Sequence, residues 1–386
     1  MPLRILIAPS GYKECLEADR VAAAIATGVK RAVPDAHVSC LPLVDGGEGF
    51  ARALVEATGG FTRILKVTGP VGQPVDACLG LLGGGPPATA VVEMAQAAGL
   101  RLVPSDARDP MRTTTWGVGE MISAAMDEGV ERILVGCGDS GTNDGGAGMA
   151  QALGIRLLDA EGREIPHGCR GLAMLAQIDV SGRDPRLDGV TIEAVLNITT
   201  LLCGPRGVAR VFGPQKGASP ETVVEMEQAL ETYAAMVERT FGRDVRQMPG
   251  AGASGGLGTG LAAFLGAELR SRYDVVLPYF DLDTRLDHAD LVFTAEGGID
   301  LQTPNGKIPA EVARRAKKRG LPVFALAGAV GDPARVVYEH GIDAFFSTAM
   351  RPCPLDMAMA EAESMLALAA ENVMRAVLAG RALGRS

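Results

Sequence analysis

The chain has 386 residues, of which 47% are hydrophobic and 22% charged, and its formal net charge is −9. This length and composition predict a globular protein of two domains. The negative charge argues against nucleic acid as a main partner. No apolar run approaches the roughly 18 residues that span a bilayer, so we expect no membrane association.

Cysteine and histidine usage restricts the chemistry further. The seven cysteines are scattered, and no two have CxxC spacing. We therefore expect reduced thiols, no zinc site and a cytoplasmic protein, since the first nine residues also lack the features of a signal peptide. The four histidines form no ligand motif. Carboxylates and lysines are thus the expected carriers of proton and phosphate chemistry.

Strands and helices alternate at both ends of the chain. The N-terminal part predicts strands at 4–8 and 37–43, a helix at 19–33 and a second helix ending near residue 58. The C-terminal part predicts the strands 291–294, 322–327 and 344–347, separated by helical segments near 309–319, 333–340 and 355–380. A βαβα order is typical of a parallel sheet.

The middle of the chain has a different pattern. It predicts irregular strands within 64–82, strands at 90–94 and 190–198, a hairpin at 155–165 and a long helix after Ser219. We predict an α/β fold with a Rossmann-like parallel-sheet domain built from both chain ends, residues 1–70 and 271–386. A mixed-sheet α/β domain, residues 71–270, would be inserted, with the site in a cleft between the two.

The glycine-rich segment 138–149 is the most informative local feature. It follows the apolar strand 133–136 and leads into a predicted helix. Such a loop can point backbone N–H groups at a phosphate near the positive end of a helix, and Asp144 could hold a metal ion beside it. The alternative is a tight turn in which Asp144 caps the helix.

Three lysines lie beside glycines shortly before predicted helices. They are Lys13, Lys216 and Lys307. A cation is unfavourable at the positive end of a helix unless a bound anion reverses the local charge. Three lysines in this setting favour anion binding modestly, whereas any one alone could be a solvated loop residue.

A second glycine-rich run occupies residues 250–260 and precedes another predicted helix. It matches neither the Walker A pattern nor a GxGxxG fingerprint after a strand. Its glycines could let the backbone approach a nucleotide closely. They could equally allow close packing of helices.

Several acidic residues follow predicted strands, where ligands of α/β sheets collect. They are Asp45, Glu48, Asp144, Glu296 and Asp300. Phosphoryl transfer needs such carboxylates for magnesium, although Asp45 and Asp144 could merely cap helices. Arg112 could clamp a substrate carboxylate, or it could be an ordinary surface arginine.

Taken together, these runs resemble the bacterial type I glycerate kinases over essentially the whole chain. The matching segments, in chain order, are 44–49, 93–95 with 99–100, 113–114 with 117, 142–149, 202–207, 212–218, 249–252 with 255–256, and 306–307 with 309. The resemblance implies two α/β domains and phosphorylation of D-glycerate that depends on ATP and Mg²⁺. We expect a hydroxy-acid substrate and a homodimer.

The resemblance, read with the loops above, assigns roles to individual positions. The expected catalytic residues are Lys13, Asp45, Asn197 and Lys307. The expected ATP contacts are Ser140, Thr142, Asn143, Gly145, Gly146, Lys216, Gly255 and Gly256. The expected substrate contacts are Ser10, Arg112, Glu296 and Gly298, and the expected metal ligands are Asp45 and Asp144.

The chain departs from the family pattern inside three motifs. The family segment Asp-Ser-Phe-Lys corresponds to residues 10–13, Asp-Val-Asp-Asn-Pro-Leu to 197–202, and Gly-Glu-Gly-Arg-Ile-Asp to 295–300. Three aspartates and one arginine are thereby replaced. We expect a retained scaffold with a remodelled acceptor site, which acts on glycerate or another acceptor. The alternative is a non-catalytic protein that binds a nucleotide or hydroxy acid.

Overall fold

The computed structural model describes residues 2–12, 15–43, 47–197, 199–304 and 306–383. The chain forms two compact units. The terminal unit comprises Met1–Asp45 and Phe280–Ser386, and the central unit comprises Gly46–Tyr279. The sequence-based prediction places the two boundaries elsewhere, after residues 70 and 270.

The described residues form strands and helices in an alternating order. The strands are β1 (Arg4–Ile7), β2 (His37–Cys40), β3 (Phe61–Thr68), β4 (Pro74–Leu81), β5 (Thr89–Glu93), β6 (Arg132–Gly136), β7 (Arg156–Leu158), β8 (Gln177–Asp179), β9 (Thr191–Leu196), β10 (Glu268–Ser271), β11 (Leu291–Ile299), β12 (Val323–Val330) and β13 (Ala344–Ser347). The helices are α1 (Ala18–Ala32), α2 (Phe50–Thr58), α3 (Met94–Ala98), α4 (Trp116–Asp127), α5 (Ala147–Ala152), α6 (Cys169–Leu172), α7 (Val208–Phe212), α8 (Pro220–Phe241), α9 (Ala253–Phe264), α10 (Arg272–Phe280), α11 (Leu282–Asp287), α12 (Ile308–Lys317), α13 (Leu355–Ala360) and α14 (Ala362–Leu383).

The terminal unit contains a parallel sheet with the strand order β13-β12-β11-β1-β2. The two ends of the chain meet at its centre, where Ile5 of β1 lies opposite Leu291 of β11. From this pair the chain proceeds outward in both directions, to β2 on one side and to β12 and β13 on the other. The adjacent β1 and β11 strands therefore form a topological switch point, where α/β sheets bind ligands beyond the carboxyl ends of the strands.

The core of the terminal unit explains the predicted helix α1. The buried residues of α1 include Val21, Ile25 and Val29, which share one helical face. Gly28 lies on the same side, and a Cβ atom there would come within 2.0 Å of the Ala367 carbonyl oxygen of α14. The glycine thus permits α1 and α14 to pack at short distance.

The central unit contains a mixed sheet with the strand order β10-β9-β6-β5-β4-β3. The strands β5, β6, β9 and β10 are parallel, whereas β3 and β4 pair antiparallel at one edge. The predicted combination of a parallel sheet from both chain ends and a separate mixed sheet is confirmed.

Several predicted elements differ in detail. The hairpin expected at 155–165 is present as a short turn, in which the Asp159 N–H donates to the Arg163 carbonyl, the Ile165 N–H donates to the Leu157 carbonyl and an antiparallel bridge joins Leu158 to Glu164. The prediction did not include the pairing of β7 with β8. The helix expected at 355–380 is divided into α13 and α14, and 334–340 form a 3₁₀ helix. The long helix α8 begins as predicted, with Ser219 Oγ accepting the Thr222 N–H at 3.2 Å.

Over the described ranges, the helices are too short or too polar to cross a bilayer.

Candidate active site

The carboxyl edge of the terminal sheet brings four predicted site residues together. Ser10 follows β1, and its Oγ donates to the Ala295 carbonyl of β11 at 3.0 Å. Glu296 and Gly298 belong to the end of β11, and Lys307 is the N-cap residue of α12. These positions lie at the switch point of the sheet, where the topology predicts a ligand.

Lys307 connects the polar groups at this edge. Its Nζ lies 3.4 Å from Glu296 Oε1, 3.4 Å from Asp300 Oδ1 and 3.3 Å from the Gly298 carbonyl oxygen. All three separations are long for charge-assisted hydrogen bonds, which are usually near 2.7–2.9 Å. The ammonium group is therefore held loosely between the two carboxylates.

Gly298 leaves space beside this cluster. Among the described residues, a Cβ atom at Gly298 would meet only the Ala329 carbonyl oxygen, at 3.9 Å, within a 4 Å radius. The Cβ atom of a longer side chain at this position would therefore not collide with these neighbours. The space at Gly298 is thus compatible with the arginine that the resemblance led us to expect at this position.

Sequence reasoning missed Tyr12 as a support of this edge. Its side chain is buried, its hydroxyl donates to the Leu326 carbonyl at 3.3 Å, and its ring lies beside Gly328. Burial raises the pKa of Tyr12, so its hydroxyl remains a donor. Its place inside segment 10–13 was the available signal, and its role is to fix that segment against β12.

Lys13 and Asp45, two of the expected catalytic residues, lie outside the described residues. Their expected roles, including the metal role of Asp45, stay predictions.

In the central unit, Lys216 is a buried lysine that binds the glycine loop after β6. Its side chain is almost fully enclosed, with the residue only 2% exposed. Its Nζ donates to Ser140 Oγ at 2.9 Å, to the Thr142 carbonyl at 2.7 Å and to Asn143 Oδ1 at 2.9 Å. An ammonium group has three donors, so these contacts use all of them. Its expected contact with phosphate stays a prediction.

The surroundings of Lys216 change its protonation. Burial lowers its pKa to about 7, against the opposing influence of Asp144 and Cys169. Desolvation disfavours a charged amine, and only the nearby anionic groups partly offset it. The amine is therefore poised between its charged and neutral forms at neutral pH.

Two polar groups on the same loop are buried without a partner among the described residues. They are Thr142 Oγ1 and Asn143 Nδ2. A buried polar group without a hydrogen bond costs about 1–3 kcal/mol, so such groups are uncommon in native structures. Their position beside Lys216 suits a bound polar group, which accords with the expected nucleotide contacts of this loop.

Asp144 is fully buried and accepts hydrogen bonds on both oxygens. Its Oδ2 receives the Thr115 N–H at 2.8 Å, the Thr115 hydroxyl at 2.9 Å and the Gly148 N–H at 3.2 Å, and its Oδ1 receives the Gly146 N–H at 3.1 Å. These contacts match the capping alternative, because Gly146 is the N-cap residue of α5 and Gly148 belongs to its first turn. The metal role of Asp144 stays a prediction.

The glycines of the two glycine-rich segments, 138–149 and 250–260, pack against each other and against nearby side chains. A Cβ atom at Gly255 would lie 1.9 Å from the Thr142 carbonyl oxygen, and one at Gly256 would lie 2.9 Å from Gly145 Cα. Both residues have positive φ, as does Ser254, so they interrupt the α9 segment. Their lack of side chains is thus explained by close backbone contact, the alternative considered above.

Gly145 and Gly146 follow the same principle. A Cβ atom at Gly145 would lie 2.6 Å from the Tyr233 ring, and one at Gly146 would lie 3.0 Å from Gly260 Cα. Tyr233 is buried and its hydroxyl donates to the Gly145 carbonyl at 2.8 Å. Nucleotide contacts by these glycines stay predictions.

Glu93 is a second residue whose role the sequence did not reveal. It ends β5, is 1% exposed, and accepts the N–H groups of Gly49 and Ala51, both at 3.1 Å. Burial raises its pKa to about 7, although these hydrogen bonds and that from Gln96 act in the opposite direction. Glu93 therefore anchors the start of α2.

The remaining two predicted positions have local partners. Arg112 has a side chain that is 71% exposed and lies 3.3 Å from Asp109, as expected of a surface arginine. Asn197 follows β9, and its Oδ1 accepts the Thr199 N–H at 3.1 Å and the Thr199 hydroxyl at 2.9 Å. The substrate role of Arg112 and the catalytic role of Asn197 stay predictions.

Comparison with known proteins accounts for these motifs. The sequence model of the glycerate kinase family matches residues 5–378. The chain is 46% identical over 369 residues to a glycerate kinase of Halalkalibacterium halodurans, covering 96% of this chain and 97% of that protein. It is 45% identical over 378 residues to a glycerate 2-kinase of Escherichia coli, covering 98% and 99% of the two chains.

A solved structure agrees with the sequence comparison. The crystal structure of a protein provisionally named glycerate kinase 2, from Salmonella typhimurium LT2, superposes with a TM-score of 0.78. It is 46% identical, and the match covers 98% of this chain and 99% of that chain. With similarity along almost its full length, the chain belongs to the glycerate kinase family, whose members are phosphotransferases with an alcohol group as acceptor.

Proposed function

We propose that this protein transfers the γ-phosphoryl group of ATP to a hydroxyl of D-glycerate or a related hydroxy acid, with Mg²⁺. The bond from the acceptor oxygen to phosphorus forms, the bond to ADP breaks, and the hydroxyl proton passes to a carboxylate or an ordered water. The observation that carries the proposal is the position of Lys307 between Glu296 and Asp300 at the switch point of the terminal sheet. Family membership supplies the reaction class.

Lys307 and α12 would balance the charge of the transferred group. Phosphoryl transfer depends mainly on positioning and on neutralising the phosphate oxygens. The N-terminus of α12 carries partial positive charge, and Lys307 stands at its N-cap. A phosphate here would compete with Glu296 and Asp300 for the loosely held ammonium group.

The carboxylates at this edge fit a magnesium ion that is bound mainly by phosphate and water. Among the described residues, no group of three or more His, Cys, Asp or Glu side chains could hold a metal by itself. Magnesium in kinase sites usually takes only one or two carboxylates. Glu296 and Asp300 meet that need, and Mg²⁺ would neutralise the charge that develops on the transferred phosphate.

The acceptor specificity is proposed to depend on the replaced motif positions. Gly298 opens space beside Lys307, and Asn197 presents a neutral amide in place of the family aspartate. An altered charge balance at these positions would change which carboxylate-bearing acceptor is held. D-glycerate remains the first substrate to test, and other hydroxy acids follow.

The decisive experiment measures ADP release by the purified full chain. ATP and MgCl₂ would be supplied with D-glycerate, L-glycerate, glycolate or D-lactate, and the phosphorylated product identified by mass spectrometry. We expect acceptor-dependent ADP release that falls at least a hundredfold in Lys307→Met. The matched control is Lys318→Met, which removes an exposed lysine from the other end of the same helix.

Two results would contradict the proposal. One is the absence of acceptor-dependent turnover with every hydroxy acid, which with ATP binding retained would favour the non-catalytic alternative. The other is equal loss of activity in Lys307→Met and Lys318→Met. The expected homodimer also stays a proposal, and sedimentation velocity of the same preparation tests it.

A further inference from the structure

The terminal unit has a cavity at the opposite edge of its sheet from Lys307. The cavity measures about 480 Å³ and is lined by the first residues of β1 and β2 and by α11 with its flanking residues. Volumes of this size are typical of sites for small organic ligands. Because strands rise about 3.3 Å per residue, the amino ends of β1 and β2 lie roughly 10 Å from their carboxyl ends.

The walls of the cavity combine an apolar floor with a polar rim. Ile5, Leu6 and Ala289 are buried and form apolar surface. The rim carries two guanidinium groups, two imidazoles, two hydroxyls and one carboxylate; these belong to Arg4, Arg285, His37, His288, Ser39, Thr284 and Asp281. An apolar floor with a few convergent polar groups is the usual composition of a ligand site.

Arg285 is the cation that is available to a ligand. Arg4 is paired with Asp290 at 2.7 Å. By contrast, no described carboxylate lies within 4.0 Å of the Arg285 guanidinium, whose Nη1 donates to Ser39 Oγ at 2.8 Å. This bond orients the planar group and leaves other N–H donors for an incoming anion.

Arg285 places a positive group in a chain whose net charge is −9. Arg4 is neutralised by Asp290, and Asp281 is the carboxylate that lines the cavity. Since no described carboxylate pairs with Arg285, its guanidinium group is the point at which an anion is attracted.

Backbone strain borders the same cavity. Asp281 has a φ of 53°, in the left-handed region that residues other than glycine seldom adopt. Such strain persists where the surrounding structure requires it and often occurs beside ligand sites. Asp281 is the N-cap residue of α11, and its carbonyl accepts the Arg285 N–H at 3.2 Å, so the strained residue sets the position of Arg285.

We propose that this cavity is a second ligand site, which binds a small organic anion through a carboxylate or phosphate group on Arg285. The ligand's body would lie on Ile5, Leu6 and Ala289, and its remaining polar groups would reach the rim. The site does not depend on the proposed kinase activity. It lies on the terminal unit alone and uses none of the residues assigned to phosphoryl transfer.

Isothermal titration calorimetry on the full chain tests this site with two probes, citrate for the carboxylate class and AMP for the phosphate class. We expect one of them to bind with a Kd below 1 mM and to bind at least tenfold more weakly to Arg285→Ala. Arg335→Ala is the matched control, since it removes an exposed arginine of the same unit that does not line the cavity. Lys307→Met should retain the binding, which separates this site from the carboxyl edge.

A second measurement uses Cys40 of β2, whose thiol pKa is raised because partial burial of the thiol outweighs the opposing influence of Arg285. A ligand on Arg285 should slow alkylation of Cys40 at least threefold, whereas alkylation of Cys353 should not change. The proposal is overturned if neither probe binds at 10 mM. It is equally overturned if Arg285→Ala binds as tightly as the wild type, or if the binding is lost in Lys307→Met.

Discussion

The ammonium group of Lys216 lies 2.9 Å from Asn143 Oδ1, although 73 residues separate the two in the chain. The same nitrogen reaches Ser140 and the Thr142 carbonyl, so one buried side chain fixes the conformation of the glycine loop after β6. Only the buried setting makes this contact sensitive to pH, because desolvation lowers the lysine pKa to about 7.

This relationship predicts a pH-dependent contribution to stability. Unfolding returns Lys216 to an ordinary lysine pKa near 10.5, so the unfolded chain binds more protons between about pH 7 and pH 10.5. The stability of the wild type relative to Lys216→Met should therefore rise across this interval, by a few kcal/mol in total. Urea unfolding of both proteins at pH 7 and pH 9.5 measures the difference, and a constant difference would refute the prediction.

Glu93 predicts the opposite pH dependence in a lower interval. Its folded pKa of about 7 exceeds the ordinary value of 4.5, so the folded chain binds more protons between these two values. The stability of the wild type relative to Glu93→Gln should fall by up to about 3 kcal/mol as the pH rises from 4.5 to 7. Denaturant unfolding at pH 5 and pH 7.5 tests this, and an unchanged difference would show that Glu93 is ionised normally.

The close backbone contact at Gly255 predicts that this position needs glycine for packing and not for contact with a ligand. In Gly255→Ala the new Cβ would meet the Thr142 carbonyl, and the residue has a φ of 72°. Gly162→Ala is the control, with a φ of 77° and no atom of the described residues within 4 Å of the new Cβ. We expect about 1 kcal/mol of destabilisation in the control and more than about 3 kcal/mol in Gly255→Ala. Similar unfolding midpoints for the two variants would contradict this account.

The replaced motif positions predict a change of specificity in the double variant Asn197→Asp with Gly298→Arg. The open space beside Gly298 and the acceptor role of Asn197 Oδ1 should allow both substitutions without loss of stability. We expect kcat/KM for D-glycerate, relative to the other hydroxy acids, to change at least tenfold. Gly380→Arg, an arginine placed at an open glycine of α14, is the control for added charge.

An unchanged substrate preference and rate in this double variant would mean that these positions do not determine the acceptor. Thermal unfolding of the same samples distinguishes that result from simple misfolding.

Glu296 and Asp300 predict the magnesium requirement of the proposed reaction. Removing one carboxylate in Glu296→Gln or Asp300→Asn should raise the Mg²⁺ concentration needed for half-maximal turnover at least fivefold, because a hard cation loses an oxygen ligand with full charge. The matched control is Glu311→Gln, which removes a carboxylate paired with Arg314 and Arg315 on α12. Equal magnesium curves for all these proteins would remove Glu296 and Asp300 from the metal site.

Much of the fold could be predicted from local patterns. The alternation of short apolar strands with amphipathic segments indicated the parallel sheet, and Ser219 with Pro220 indicated the start of α8. The turn that brings Glu164 back to Leu158 follows local rules and was predicted, whereas the pairing of β7 with β8 was not, because β8 lies further along the chain. Local sequence cannot rank two strand partners whose pairing energies depend on the rest of the core.

The sequence by itself determined which residues can carry charge, cap helices and form glycine loops, and these motifs sufficed to place the chain in its family. Only the tertiary structure decided that Lys216 donates its hydrogen bonds to the loop after β6. It also decided that Gly255 and Gly256 lie against backbone atoms, and that Lys307 lies between Glu296 and Asp300. The physical reason is that desolvation, steric exclusion and charge pairing depend on distances in space. Residues that are hundreds of positions apart in the chain become neighbours in space, as where β11 pairs with β1.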